Sequence, residues 1–162
     1  MDGYQLRAIV SSKTRSSPAA KQRAGQAYAK KLGLVLGKSG ADGGVDGYGV
    51  FKDCFIYFQC KLSHNPLGAE YADEFYSGLE RHADEEKYAA HIGIMLAGVG
   101  YIERGDAGFL ARLKSHPRIR QGIFTCHLLS LEDIYTQSEK FLLACEDLPQ
   151  LGEICDDDEF WE

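Results

Sequence analysis

Two neighbouring runs of this 162-residue chain contain the side chains best suited to chemistry. Residues 37–51 are rich in glycine and include Asp46, and residues 54–62 include Gln59 and Lys61. Carboxylate and carbonyl oxygens are the ligands that Mg²⁺ prefers, and a lysine can orient a water molecule or stabilise charge on a phosphate. The residue types therefore predict metal-assisted chemistry on a phosphate.

A hairpin would bring these groups together. The second run is rich in aromatic and β-branched residues, which is typical of a buried strand, and residues 52–53 suit a turn. Side chains alternate across a strand, so Gln59 and Lys61 are predicted to share one face, beside Asp46. Cys60 would then point to the other face and offer only its backbone carbonyl to the site. Glycine-rich turns with aspartates are common in proteins, so turn formation alone is the plainer interpretation of these residues.

The order and spacing also resemble a known family. Residues 40–46, GADGGVD, are followed after twelve residues by Gln59-Cys60-Lys61, and this pattern resembles the core of the Mrr-like branch of the PD-(D/E)xK restriction-endonuclease superfamily. The resemblance covers about residues 18–135. It implies an α/β fold of the restriction-endonuclease-like type, an αβα sandwich with a mixed central sheet. It also implies a Mg²⁺-dependent DNA endonuclease, with Mn²⁺ as an alternative cofactor.

The resemblance assigns roles to individual residues. It implies Asp46, Gln59 and Lys61 as the catalytic set, with Asp46, Gln59 and the Cys60 carbonyl as metal ligands. Two positions where the family tends to have acids are amides here, Gln59 on the strand and Gln26 on the leading helix. Four residues are accessory candidates: Gln26, Asp42, His64 and Glu70.

Three functions remain open on this evidence. The first is a metal-dependent endonuclease of a restriction or anti-phage defence system. The second is a catalytically impaired nuclease-fold subunit that binds nucleic acid or acts as a scaffold, since amides stand at two acid positions. The third is an inhibitor whose acidic C-terminal tail imitates DNA.

Composition favours one domain in the cytoplasm. The chain is 44% hydrophobic and 26% charged, which is ordinary for a globular protein, and no apolar run approaches a membrane span. Five cysteines without zinc-type spacing are expected to be reduced thiols. The net charge of −6 is unevenly distributed, because residues 1–38 contain eight basic residues and one acid, whereas residues 130–162 contain eleven acids and one lysine.

Two interpretations of this asymmetry stay open: the basic N-terminal part binds phosphates, or both charged ends are plain solvated surface. DNA is the ligand that the resemblance implies, and a domain with a single site is expected to act as a homodimer or as a subunit of a larger complex. The acidic tail, which ends in two aromatic residues, is a candidate for docking on a protein partner. The candidate nucleic-acid contacts are Lys21, Arg23, Lys30, Lys38, Arg104, Arg118 and Arg120.

The predicted elements fit this scheme. Residues 1–17 are expected to be a mobile basic arm, 18–148 the Mrr-like nuclease domain and 149–162 an acidic tail. Helix signals begin at Ser17-Pro18, and an amphipathic stripe extends over residues 72–83. Residues 90–96 and 122–128 are predicted strands, and one further helix is predicted to begin after Ser130.

Overall fold

Five strands form a single mixed sheet in this computed structural model, which describes residues 2–36, 46–105 and 108–147. The strands are β1 (Val35–Leu36), β2 (Gly47–Phe51), β3 (Cys54–Lys61), β4 (Ala90–Ala97) and β5 (Phe124–Ser130). Their spatial order follows the sequence. The β1–β2 and β2–β3 pairs are antiparallel, and the β3–β4 and β4–β5 pairs are parallel.

Seven helices flank this sheet within the described residues: α1 (Gly3–Thr14), α2 (Pro18–Lys31), α3 (Ala69–His82), α4 (Phe109–Lys114), α5 (Pro117–Arg120), α6 (Leu131–Thr136) and α7 (Glu139–Asp147). Helices α1, α2, α6 and α7 share one apolar core with the side chains of β3 and β4 that face them. Helices α3, α4 and α5 cover the other face. Helices on both faces of a sheet give a three-layer α/β arrangement, as the sequence predicted.

The predicted hairpin is present. Lys52 and Asp53 both have positive φ, 51° and 63°, and they connect β2 to β3 with Phe51 paired to Cys54. Two consecutive residues with positive φ are typical of a type I′ turn, whose twist matches that of the flanking strands. The β2–β3 connection is therefore tight, and it fixes which residues of the two strands lie opposite one another.

Helix α2 follows its sequence signals closely. The Ser17 side chain accepts a hydrogen bond from the Ala20 N–H, and Pro18 occupies the first turn. Beyond the helix, Gly33 has φ 78°, a conformation that favours glycine. Gly25, Tyr28 and Ala29 of this helix are buried.

The prediction of a mobile arm over residues 1–17 is wrong for Gly3–Thr14, which form helix α1. Asp2 caps this helix in a reciprocal arrangement with Gln5. The buried Ile9 joins the core shared with α2 and α6, which explains why a short polar segment is held in place. The signal missed in the sequence was the capping box at Asp2.

The last predicted helix is divided in two. The chain turns at Gln137, which has φ 52°, so α6 ends and α7 begins with a different orientation of its apolar face. Phe141 and Ala144 are buried. The apolar stripe of a single helix after Ser130 would place Leu142 in the core, but Leu142 is 52% exposed. The predicted acidic tail lies outside the described residues.

Candidate active site

Asp46 lies where β2 begins, against the last residues of β3. Its backbone N–H donates to the Phe58 carbonyl at 3.0 Å, which continues the hairpin by one residue. Its carboxylate atom Oδ2 accepts a hydrogen bond from the Cys60 N–H at 2.6 Å. The hairpin therefore holds the acid directly beside residue 60, whereas the sequence predicted it beside Gln59 and Lys61.

A cleft of about 610 Å³ opens at this end of β3. Asp46, Cys60 and Lys61 line one side, and the first turns of α2 line the other with Lys21 and Gln22. The parallel strands β3 and β4 both end at this edge of the sheet, and ligands of open α/β sheets bind at the carboxyl ends of such strands. Asp46 and Lys61 thus line one cleft at the edge of the sheet where ligands of such folds bind.

The environment of Asp46 favours its protonated form. Burial raises the pKa of Asp46 from 3.8 to about 6, while the Cys60 N–H and the positive charge of Lys61 lower it by smaller amounts. A buried carboxylate loses the hydration of its charged form, so its pKa stays raised unless nearby positive charge compensates for that loss. A cation next to the carboxylate would supply that charge and favour the ionised form.

Lys61 is exposed at its tip and lies against α3. Its Nζ atom is 5.2 Å from the centre of the Tyr71 ring, a cation–π distance. Tyr71 of α3 therefore contacts the ammonium group of Lys61, and Lys61 also lines the cleft beside Asp46. Tyr71 was not a candidate from the sequence, because only the folded chain brings the first turns of α3 back to the end of β3.

Gln59 occupies a different place from the one predicted. It is only 9% exposed and it does not line the cleft. It pairs in register with Met95, whose side chain belongs to the core under α3. Its Oε1 atom is buried without a hydrogen-bond partner. The prediction that Gln59 shares one spot with Asp46 is thus corrected, because strand alternation directs the amide toward the α3 layer. The prediction that Cys60 points away from the acid is wrong as well, since the Cys60 side chain and the Asp46 carboxylate both lie against α2.

Gly25, and not Gln26, is the residue of α2 that faces the acid. A Cβ atom added at Gly25 would lie 3.4 Å from Asp46 Oδ1 and 3.3 Å from Cys60 Cβ. Gln26 is partly buried on the same helix but does not line the cleft. The glycine allows α2 to pack closely over Asp46, and this close approach provides the burial that raises the carboxyl pKa.

The other accessory candidates divide into three cases. His64 lines the cleft and is exposed in the loop after β3. Glu70 is exposed in the first turn of α3 and does not line the cleft. Asp42 lies outside the described residues.

Of the predicted nucleic-acid contacts, Lys21 lines the cleft. Arg23 and Lys30 are exposed elsewhere on α2, and Arg104 is exposed in the loop after β4. Lys38 lies outside the described residues. The α2 side of the cleft therefore contributes one predicted cation at Lys21.

The basic run over residues 112–120 is not a free cationic edge. Arg118 Nε lies 3.2 Å from a Glu85 carboxylate oxygen. Arg112 and His116 both contact Asp73 of α3, at 2.9 and 2.8 Å. Arg120 is exposed at the end of α5. Since α5 packs on the α3 side of the sheet, the structure does not bring Arg118 or Arg120 to the Asp46 cleft.

Tyr101 follows strand β4, where the sequence also suggested a contact with a phosphate backbone, but in the structure it has a structural role. Its hydroxyl donates to the Met95 and Leu129 carbonyls at 3.0 and 2.8 Å, and burial raises its pKa well above the usual value. It ties the end of β4 to β5, so it is not available to a ligand.

The donor atoms beside Asp46 fit one hard divalent cation. Asp46 Oδ2 is engaged by the Cys60 N–H, which leaves Oδ1 as a ligand atom. The N–H and carbonyl of one strand residue point to the same edge, so the Cys60 carbonyl is directed to the side of β3 where Asp46 lies. Within residues 2–36, 46–105 and 108–147, no three His, Cys, Asp or Glu side chains are grouped to hold a metal. One carboxylate and one backbone carbonyl are oxygen donors of the kind that Mg²⁺ uses together with several waters, and these donors do not include Gln59.

Fold and cleft define a three-layer α/β protein with a mixed sheet and an acid–lysine pair at the carboxyl end of a parallel strand. Comparison with known proteins adds no relative: no family model, no curated protein and no solved structure gives a significant match. No helix among the described residues has the length and apolar character to span a membrane.

Proposed function

We propose that this protein is a Mg²⁺-dependent endonuclease with a restriction-endonuclease-like core, which hydrolyses phosphodiester bonds of DNA in a restriction or anti-phage defence system. The observation that carries the proposal is the shared cleft of Asp46 and Lys61, with the Cys60 backbone hydrogen-bonded to the acid. This arrangement matches the order of acid, backbone carbonyl and lysine that the resemblance of residues 40–61 implies.

The chain's own residues have distinct parts in this reaction. Asp46 and the Cys60 carbonyl would hold the cation, which when bound polarises a phosphoryl oxygen and lowers the pKa of a water ligand. Lys61 would orient the attacking water and stabilise negative charge on the phosphate. Lys21 and the N-terminal end of α2 would attract the nucleic-acid backbone, because unpaired helix N–H groups favour anions.

A second candidate is an impaired nuclease-fold protein that binds nucleic acid without cutting it. It is favoured by the carboxylate count, since Asp46 is the one acid among the described residues that line the cleft. With Gln59 turned to the α3 layer, the cation would have a weak protein ligand set. On this alternative Lys21 and Lys61 bind the backbone and no hydrolysis follows.

The experiment is cleavage of supercoiled plasmid and of a labelled single strand, with Mg²⁺ or Mn²⁺, by four proteins. These are the natural chain, Asp46→Asn, Lys61→Met and the exposed-surface control Glu103→Gln. The endonuclease proposal predicts nicked or linear product from the natural chain and the control. Loss of at least a hundredfold in rate is expected in the two site variants.

Binding measured on the same proteins separates the two candidates. If none of the four cleaves, yet the natural chain binds the strand in EDTA and Lys61→Met binds it less tightly, the non-cutting alternative is correct. Equal cleavage by all four proteins would place the chemistry elsewhere and contradict the proposal.

A further inference from the structure

A second cleft, of about 360 Å³, adjoins the one described above. Helix α1 forms one wall through Arg7 and Arg15, and the loop after β4 forms another. His64 lines both clefts. The two openings therefore meet at this histidine.

Three segments of the chain pack closely at this junction. A Cβ atom added at Gly98 would lie 2.5 Å from the Ser63 carbonyl oxygen and 2.5 Å from Thr14 Cγ2. The Gly98 N–H also donates to the Lys61 carbonyl at 3.1 Å. Helix α1 is thus fixed beside the end of β3, and its side chains have a definite place relative to Lys61.

The described residues that line the second cleft have a net positive charge, and they include the apolar side chains of Leu6, Val10 and Val99. Arg7 and Arg15 form no ion pair with the described residues, and they are eight positions apart, about 12 Å along the helix axis. Ser11 lies between them on the same face and also lines the cleft. Glu132 is the one acid among the described lining residues, and its place in the first turn of α6 is explained by the dipole of its own helix.

The chemistry of the lining residues points to a phosphate backbone as the ligand. Arginine forks and a hydroxyl bind phosphate oxygens. Among the described residues that line this cleft, the imidazole of His64 is the one aromatic ring, and no Phe, Tyr or Trp offers a larger surface on which bases could stack. The cleft is suited to binding that does not depend on base sequence.

We infer that a nucleic-acid strand lying at Asp46 and Lys61 continues past His64 into the α1 cleft, where Arg7 and Arg15 bind its phosphates. This inference rests on the proposed function for the direction of the strand. It adds a second binding surface for the substrate on α1, a helix within the segment that the sequence predicted to be a mobile arm.

The test is binding of a fluorescein-labelled 20-nucleotide single strand, measured by anisotropy in EDTA over a range of KCl concentrations. Arg7→Gln/Arg15→Gln is compared with the natural chain, and Lys87→Gln/Lys140→Gln is the control with the same change in charge. A duplex of the same sequence is measured in parallel, so that the two forms of substrate are distinguished. Unfolding in urea verifies that each protein is folded.

The expected result is about a tenfold weaker affinity for the arginine variant. The slope of log affinity against log salt should fall by about 1.4, since each lost phosphate contact to a single strand contributes about 0.7. The lysine control should retain the natural slope. Glu132→Gln should change affinity in the opposite direction, tightening it about threefold.

Three results would overturn the inference: equal slopes for the arginine variant and the lysine control, no binding of the strand by the natural chain, or tighter arginine-dependent binding of polyglutamate than of the oligonucleotide. The last of these would indicate an acidic protein partner. Binding is measured without metal, so it is independent of the cleavage experiment. A protein that does not cleave would contradict only the proposed hydrolysis, whereas a natural chain that binds no strand would overturn the inference about the α1 cleft.

Discussion

Asp46 is an acid buried where its charge is poorly compensated, and this should appear in the pH dependence of stability. Its pKa in the folded chain is about 6, above the ordinary value of 3.8, so between these pH values the folded state binds more protons than the unfolded state. Stability contributed by the protonated form is therefore present below about pH 4 and is lost as the pH rises through 6.

We expect Asp46→Asn to be more stable than the natural chain at pH 8 by about 1–2 kcal/mol, after allowance for partial solvent access. The asparagine has no charge to bury and retains an oxygen that can accept from the Cys60 N–H. Urea unfolding at pH 4.5 and pH 8 measures the difference. A difference that is equal at the two pH values would show that the ionisation of Asp46 does not carry the effect.

Tyr71 should act on Lys61 as a positioning residue. Its ring lies 5.2 Å from the lysine Nζ, so Tyr71→Phe keeps the aromatic face and should leave cleavage close to the natural rate. Tyr71→Leu removes it and should lower the rate about twofold to fivefold, in line with the usual strength of an exposed cation–π contact. Cleavage rates at matched folded fraction make the comparison. Equal rates for phenylalanine and leucine would remove Tyr71 from the site.

For individual residues, the sequence predicts those neighbours that a short spacing along the chain determines. The adjacency of Asp46 and Cys60 follows from a tight hairpin, since the thirteen residues between them form two strands and a turn. Whether Gln59 and Asp46 meet depends on which face of the sheet the acid turns to, and Asp46 lies against α2 at Gly25. Such a contact between distant elements leaves no periodic signal in the sequence.

Among the elements, the meeting of α1, the β3–α3 loop and the β4–α4 loop depends on one small residue. Gly98→Ala would place a methyl group 2.5 Å from both the Ser63 oxygen and Thr14 Cγ2, so at least one segment must move. We expect a loss of about 2–4 kcal/mol in the free energy of unfolding. Urea unfolding at pH 7 is the measurement.

The matched control is Gly3→Ala, where the nearest atom to the new methyl group, Arg7 Nη1, is 3.6 Å away. In the first turn of α1 alanine should be neutral or stabilising by up to about 1 kcal/mol. If both substitutions cost the same, the crowding at Gly98 is not the cause.

The sequence predicted correctly which segments with strong apolar patterns are helices or strands, but it missed one helix and one helix break. Strand β4 and helix α3 have strong apolar patterns and lie where the sequence placed them. Helix α1 was missed because its polar composition gives little amphipathic signal, and its packing on α6 supplies the stability. The break at Gln137 was missed because a non-glycine residue adopts a left-handed conformation there.

For the whole molecule, the uneven charge should control affinity for nucleic acid. Residues 148–162 contain six acidic and no basic residues, which equals the entire net charge of −6. A chain that ends at Asp147 should therefore bind a single strand more tightly, by about threefold to tenfold at low salt, with the gain shrinking above 0.3 M KCl.

Anisotropy titrations of the truncated and full chains at 50 mM and 300 mM KCl measure this effect. A variant of the full chain with Asp156, Asp157 and Asp158 changed to Asn is the control that retains the length. If the truncated chain binds more tightly and the asparagine variant does not, the effect comes from the removed segment and not from its charge.

The hairpin that holds the site also has the shortest loop in the sheet. Asp46 and Cys60 are fourteen positions apart, whereas the first pair between β3 and β4 joins Cys54 to Ala90, and β4 pairs with β5 across a similar distance. Closing a short loop loses less chain entropy, so local pairs form before distant ones. The acid and the strand that ends in the lysine should therefore meet early in folding, before the parallel strands assemble. Folding kinetics would reveal this as high φ-values at Phe51 and low ones at Ile94, and the reverse order would refute it.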